Sequence, residues 1–199
     1  MLLASGNERS RAYKEAIMSQ KIDAFEYAPH IMKELRGHGA LITVTDADGV
    51  ANPMTIGWGM LGIEWSTPQF IAYVNKTRYT HELLEQANEF TVNVPLPDAD
   101  EAARARANKI LAFCGSKSGR DVNKTDELGL SLVPGEEVSA PAIRELPLTL
   151  ECRIIYRRDQ DISLMPDDLR LRCYPASAEG VDIYHTEYYG KIVAAYIAG

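Results

Sequence analysis

Apolar residues recur along most of this chain with the period of strands. Phe90-Thr91-Val92-Asn93-Val94 alternates strictly and stops at Pro95, which predicts a strand. Residues 40–45 are rich in β-branched side chains and are followed by the turn Asp46-Ala47-Asp48-Gly49. The chain then returns from Val50 onward, so the pair reads as a hairpin. Residues 68–75, carrying Phe70, Ile71, Tyr73 and Val74, form a third predicted strand. Residues 148–157, entered through Pro147, and 188–197 predict two more.

Helical signals are fewer. Residues 28–35 form a short candidate with Pro29 in the first turn. Residues 80–88 have Thr80 as expected N-cap and Glu82 near the positive end of the helix dipole. Asp98-Ala99-Asp100-Glu101 resembles a capping box and opens an Ala-rich helix to about Phe113. Residues 114–129 read as a polar loop with one helical turn, and residues 176–180 as another loop. There is no regular βαβ alternation and no internal repeat. The expected fold is therefore mainly β with appended helices, a barrel rather than a doubly wound sheet. Residues 1–24 are expected as an N-terminal arm and residues 25–199 as one domain.

A length of 199 residues suits one domain with a sizeable core. The net charge of −7 opposes non-specific nucleic-acid binding but leaves room for a local anion site. The N-terminus lacks the basic and apolar regions of a signal peptide, and no run approaches the ~18 apolar residues of a membrane span. Cys114, Cys152 and Cys173 are odd in number and form no C-x-x-C, so a reducing cytoplasm is the expected setting. Asn75-Lys76-Thr77 and Asn123-Lys124-Thr125 match a glycosylation triplet by coincidence on this reading.

Candidate chemistry starts with Gly57-Trp58-Gly59-Met60-Leu61-Gly62, a literal G-x-G-x-x-G. A dinucleotide-binding turn needs a helix to open within it, and Pro68 follows too soon. The alternative is a glycine-containing strand that a ligand or another backbone approaches closely. His30, His38, His81 and His185 are scattered, and His81-Glu82-Leu83-Leu84-Glu85 lacks the second histidine of a zinc motif. No metal ligands and no catalytic nucleophile assemble. Lys76, Thr77, Arg78, Tyr79 and Thr80 instead lie between a strand and a helix start, where a phosphate monoester would find amides, hydroxyls and cations. A solvated loop is the other reading of that segment. Residues 116–124, rich in Ser, Lys and Arg, form either a second donor loop for the same ligand or an ordinary polar loop. Cys114 adjoins it, as an exposed redox thiol or a structural one.

Several segments in order then match one family. They are Asn52-Pro53-Met54-Thr55 with Gly57-Trp58-Gly59, Lys76-Thr77-Arg78-Tyr79-Thr80, Phe90 to Pro95, Ser118-Gly119-Arg120-Asp121-Val122-Asn123-Lys124, Pro147 to Cys152, and His185-Thr186 ahead of Gly190. Over roughly residues 25–198 the chain resembles the flavin reductase-like proteins with an FMN-binding split β-barrel, and within them the flavoredoxin branch. The resemblance implies FMN at the interface of a homodimer. It implies Asn52, Met54, Thr55 and Trp58 against the ring and ribityl chain, and Lys76, Tyr79 and Thr80 at the phosphate. Ser118, Arg120 and Lys124 would close the pocket, His185 and Thr186 would approach the flavin, and Arg78 stands in the phosphate loop. Met54 and Trp58 suit an apolar ring, and also a barrel core. The implied activity is hydride transfer from NADH or NADPH to flavin, then to free flavin or a protein acceptor. A tightly bound FMN electron carrier, a non-catalytic barrel and a pyridoxine-type phosphate oxidase are the alternatives.

Overall fold

The computed structural model describes residues 19–175 and 184–199. Strands β1 (Gln20–Lys21), β2 (Ala40–Thr45), β3 (Ala51–Ile56), β4 (Gly59–Glu64), β5 (Thr67–Asn75), β6 (Glu89–Val94), β9 (Leu148–Asp159) and β10 (His185–Ile197) form one sheet. Its order is β3-β2-β6-β9-β10-β5-β4, with β1 added to β10 and every pairing antiparallel. A separate two-stranded hairpin joins β7 (Leu132–Val133) to β8 (Ala142–Ile143). Helices α1 (Ala28–Gly37), α2 (Tyr79–Gln86), α3 (Glu101–Ser116), α4 (Lys124–Leu128) and α5 (Asp167–Cys173) are appended.

The sheet is held together by side chains on two sides of the same strands. Ile42 and Val44 of β2 enter the main core with Phe70, Phe90, Leu148 and Tyr188. Leu41, just before Ile42 and on the opposite face, enters a second cluster with Ile110 and Leu111 of α3. A strand covered on both faces needs an uninterrupted apolar run rather than alternation. Ala40 to Val44 comes close to that pattern, broken only by Thr43, which is buried with the rest. No helix among the described residues is long and apolar enough to cross a membrane.

The expected strands and helices are present, with shifted ends. Arg78, not Thr80, is the N-cap of α2, and no side chain caps it. Asp100, not Asp98, caps α3 by accepting from the Ala103 amide at 2.8 Å. Helix α3 runs through Cys114 to Ser116, and α4 supplies the helical turn expected in residues 114–129. The last strand begins at His185, three residues before its expected start at Tyr188. The expected arm falls mostly outside the described residues, as does the loop 176–180. Residues 20–21 of that arm pair with Ile197 and Tyr196, and the Ile22 amide reaches Ala195 O at 3.0 Å.

The G-x-G-x-x-G segment opens no helix. Gly57 sits at a bend and Gly59 to Gly62 lie in β4. A Cβ on Gly59 would stand 2.9 Å from the Phe70 ring and 3.1 Å from Ile71 O, so the close approach is protein against protein. The hairpin from β4 to β5 turns through Trp65 and Ser66, both left-handed at φ 50° and 59°. Trp65 thereby lies over Tyr156 and Tyr189, with centroids 5.8 and 6.0 Å away.

Candidate functional site

Two loops and one strand converge at a cavity of about 140 Å³. Asn52 and Met54 alternate onto one face of β3, and Met54 lines the cavity floor. The loop after β5 brings Thr77 and Arg78, and the first turn of α2 brings Tyr79 and Thr80. The loop between α3 and α4 supplies Ser118, Gly119 and Arg120, and α4 opens with Lys124. The first amides of an eight-residue helix such as α2 lack intrahelical acceptors. Among the described residues no Asp or Glu lines the cavity, whereas Arg78, Lys117, Arg120 and Lys124 all do. The walls suit an oxyanion.

Side-chain contacts lock the loops to each other. The Asn52 amide donates to Thr80 Oγ1 at 2.8 Å in a buried contact. Ser118 Oγ accepts from the Arg120 amide at 3.1 Å, which tightens its loop. Arg120 donates to Thr77 O at 3.4 Å, pairs with Glu82, and lies 5.3 Å from the Tyr79 ring centroid. Lys124 is buried and donates to Pro53 O at 2.8 Å and Cys114 O at 3.3 Å. It thus ties α4 to β3 and to the carbonyl end of α3, where a cation is favoured by the helix dipole. Gly119 fits only as glycine: a Cβ would stand 2.0 Å from Asn52 Oδ1 and 2.9 Å from Tyr79 Cδ1.

The remaining expected residues stand elsewhere. Thr55 faces α3 and donates to Leu111 O at 2.7 Å. Lys76 does not line the cavity: its ammonium donates to Asp159 at 2.6 Å and to the Tyr184 hydroxyl at 3.0 Å. Burial raises the pKa of Asp159, but the Lys76 ammonium and the Thr186 hydroxyl outweigh it and hold the carboxyl below its ordinary value. Thr186 donates to Asp159 at 2.6 Å, so it accepts at 2.9 Å from Nε2 of His81. Trp58 and His185 stack with centroids 4.6 Å apart, and Tyr174 closes the cluster edge-on to both. His185 Nδ1 lies 2.8 Å from the Tyr174 hydroxyl. Trp58 is 46% exposed and also borders a wider groove of about 550 Å³ with Met32, Met60 and Tyr73. The charge of Arg78 is felt at both Lys124 and His185, so it links the cavity to the aromatic cluster.

Burial, helped by Arg78, pushes His185 down to about 4, and burial also lowers His81. Both rings are therefore neutral at pH 7. A histidine lowered on folding is protonated first in the unfolded chain. Stability is full above the ordinary histidine value of about 6.5 and falls as pH drops toward 4. Each such group contributes a slope of at most about 1.4 kcal/mol per pH unit. Urea melts between those limits should show the decline, and His185→Gln should reduce it. An unchanged slope in that variant would remove His185 from the account.

The sequence reading missed Tyr174 and the fixed Gly119. Tyr174 follows α5, a helix foreshadowed by Asp167 and Asp168 in its first turn and Arg170 and Arg172 in its last. Cys114 resolves as structural: it is 1% exposed and burial pushes its thiol up to about 11.

Comparison with known proteins follows the same geometry. The model of the flavin reductase like domain matches residues 32–199. A flavoredoxin from Methanosarcina acetivorans is 25% identical with a TM-score of 0.57, over 80% of this chain and 67% of that one. Flavoredoxin of Desulfovibrio vulgaris (Miyazaki F) is 23% identical with a TM-score of 0.58, over 80% and 68%. An uncharacterized protein of Archaeoglobus fulgidus is 32% identical over 117 residues, 58% of this chain and 61% of that protein. The match thus spans less than two thirds of that curated relative. The split-barrel fold and the match over most of the chain agree, and the chain belongs to the flavin reductase-like domain family.

Proposed function

We propose that this chain is an FMN-dependent oxidoreductase of the cytoplasm that takes hydride from NADH or NADPH and passes electrons to free flavin or a protein acceptor. The observation that carries this reading is the cavity lined by Arg78, Arg120 and Lys124 with hydroxyls of Thr77, Thr80 and Ser118, and by no carboxylate among the described residues. A phosphate ester brings a charge of about −1.5 to −2 and three acceptor oxygens, and the donors present match it. A volume of about 140 Å³ holds a phosphate and part of a polyol chain, not a three-ring system. The ring therefore belongs outside it, against Trp58 and Met60 along the wider groove.

Bound flavin supplies the two-electron chemistry. The chain's own residues bind and orient. Arg78 and Lys124 provide charge, Thr80 is aimed by Asn52, and Arg120 fastens the second loop over the first. His185, neutral and pinned by Tyr174, presents an aromatic face next to Trp58 without adding charge. Lys76 joins the phosphate contacts only by leaving Asp159. An FMN-binding domain of a flavin reductases-like enzyme from Shewanella baltica has the same fold, at 16% identity and a TM-score of 0.56.

A homodimer belongs to this reading. Met60, Ile71, Tyr189 and Tyr156 are mutual partners across four strands and so share the outer face of the sheet. Met60, Tyr156 and Trp65 are 54%, 42% and 57% exposed, an apolar patch suited to a second copy. A sedimentation mass of one chain would contradict the pairing.

A second reading is an electron carrier with FMN held permanently, favoured by the likeness to two flavoredoxins. Mixing the FMN-loaded protein with NADPH or NADH in a stopped-flow instrument separates them. Rapid bleaching of the flavin band is the expected result, and slow or absent bleaching leaves the carrier. A protein that is colourless as purified and does not take up added FMN overturns both and leaves a non-catalytic barrel.

A further inference from the structure

Tyr174 stands between two polar side chains at the edge of the wider groove. Its hydroxyl lies 2.8 Å from Gln160 Oε1 and 2.8 Å from His185 Nδ1. The three residues come from separate places: Gln160 follows β9, Tyr174 follows α5, and His185 opens β10. The Gln160 backbone amide also donates to His185 O at 3.0 Å, so the two ends of the chain are tied through the main chain as well. Gln160 lines the groove with Trp58, and Trp58 stacks on the imidazole. Tyr174 is 5% exposed, so these two partners settle what its hydroxyl does.

Counting protons gives the direction of each bond. A phenol has one proton to donate, and an amide carbonyl can only accept, so Gln160 Oε1 takes it. The contact with His185 must then be supplied by the imidazole, with Nδ1–H donating to the tyrosine oxygen. A neutral ring carries a single proton, so Nε2 keeps a bare lone pair. Among the described residues no hydrogen bond reaches that nitrogen. A glutamine with its amide turned over would reverse the whole chain and put the proton on Nε2. One amide therefore selects whether the imidazole offers a donor or an acceptor beside Trp58.

We propose that Tyr174 and Gln160 are positioning residues that hold His185 as its Nδ1–H tautomer, and so keep Nε2 as an acceptor for a ring N–H of the bound flavin. The acceptor role rests on the flavin reading of the site, and the tautomer does not. The arrangement has a physical reason. A carboxylate would accept the same N–H, but its charge would oppose both a phosphate and a ring that becomes anionic on reduction. A neutral imidazole, fixed by a tyrosine and a glutamine, accepts without that charge.

The test is nitrogen-15 NMR of the histidine rings in the full chain at about pH 7.5, with the His185 signals identified by their loss in His185→Gln. Protonated and bare ring nitrogens resonate far apart, so the tautomer is read directly. The wild-type protein and Gln160→Glu, whose ionised carboxylate only accepts, should both carry the proton on Nδ1. Gln160→Met removes the acceptor, so the tyrosine proton turns to Nδ1 and the ring proton moves to Nε2. Added FMN should shift the wild-type Nε2 signal. Gln160→Met and Tyr174→Phe should each bind FMN and riboflavin about fivefold more weakly, and both ligands alike, because they share the ring. Gln160→Glu should bind riboflavin as the wild type does. A wild-type proton on Nε2, or one that stays on Nδ1 in Gln160→Met, overturns the positioning role. Unchanged flavin affinity in Gln160→Met overturns the acceptor role. A wild-type protein that binds neither flavin overturns the flavin reading and the acceptor role with it, while the nitrogen signals still decide what Tyr174 and Gln160 do to the imidazole.

Discussion

Glu151→Gln is expected to lower the unfolding free energy by about 3 kcal/mol. Glu151 is fully buried in β9, and its two oxygens accept from the amides of Glu136, Glu137 and Val138 at 2.7, 2.7 and 3.1 Å. The Tyr196 hydroxyl donates a fourth bond at 2.6 Å. One carboxylate thus holds the segment between β7 and β8 against the last strand. Glutamine keeps the volume but turns an NH₂ group toward donors, leaving about two buried amides unpaired at roughly 1–3 kcal/mol each. Urea melts measure the change, and a loss below about 1 kcal/mol would contradict the assigned role. The segment lies away from the cavity, so FMN affinity of the folded variant should be unaltered.

Gly119→Ala is expected to weaken FMN binding about a hundredfold. The added methyl cannot be absorbed by Asn52, which is buried and committed to Thr80 at 2.8 Å. Either that bond breaks or the Ser118–Arg120 loop lifts away from Tyr79. Both open the cavity, and overpacking or a lost buried hydrogen bond each costs about 1–3 kcal/mol. Gly62→Ala is the control, since a Cβ there meets nothing within 4 Å. Fluorescence titration of both variants compares them, and equal affinities would show that Gly119 does not shape the seat.

The strands were legible because their burial pattern is local. Phe90, Val92 and Val94 enter the main core, and period two in the sequence reports that side, although Thr91 and Asn93 on the other side are buried too. Helix starts were less legible, because capping depends on which hydroxyl or carboxylate is free. Thr80 looks like a cap but accepts from Asn52, and Asp100 outcompetes Asp98. The short pairing of β7 with β8 carries no periodicity at all. In the site, the two donor loops could be read from composition, and the cavity brings most of their residues together with Asn52 and Met54. Partners distant in sequence could not. Lys76 is taken by Asp159, Trp58 by His185 and Tyr174, and Lys124 by the carbonyls of Pro53 and Cys114. Only the fold brings these pairs into contact.

The central claim is that the cavity at Arg78, Arg120 and Lys124 is a phosphate seat for a flavin mononucleotide. Side-by-side titration of the wild-type protein with FMN and riboflavin tests it most directly. The account predicts FMN bound at least about tenfold more tightly, with the difference shrinking as salt rises. Equal affinity for the two flavins, or binding of neither, would contradict it.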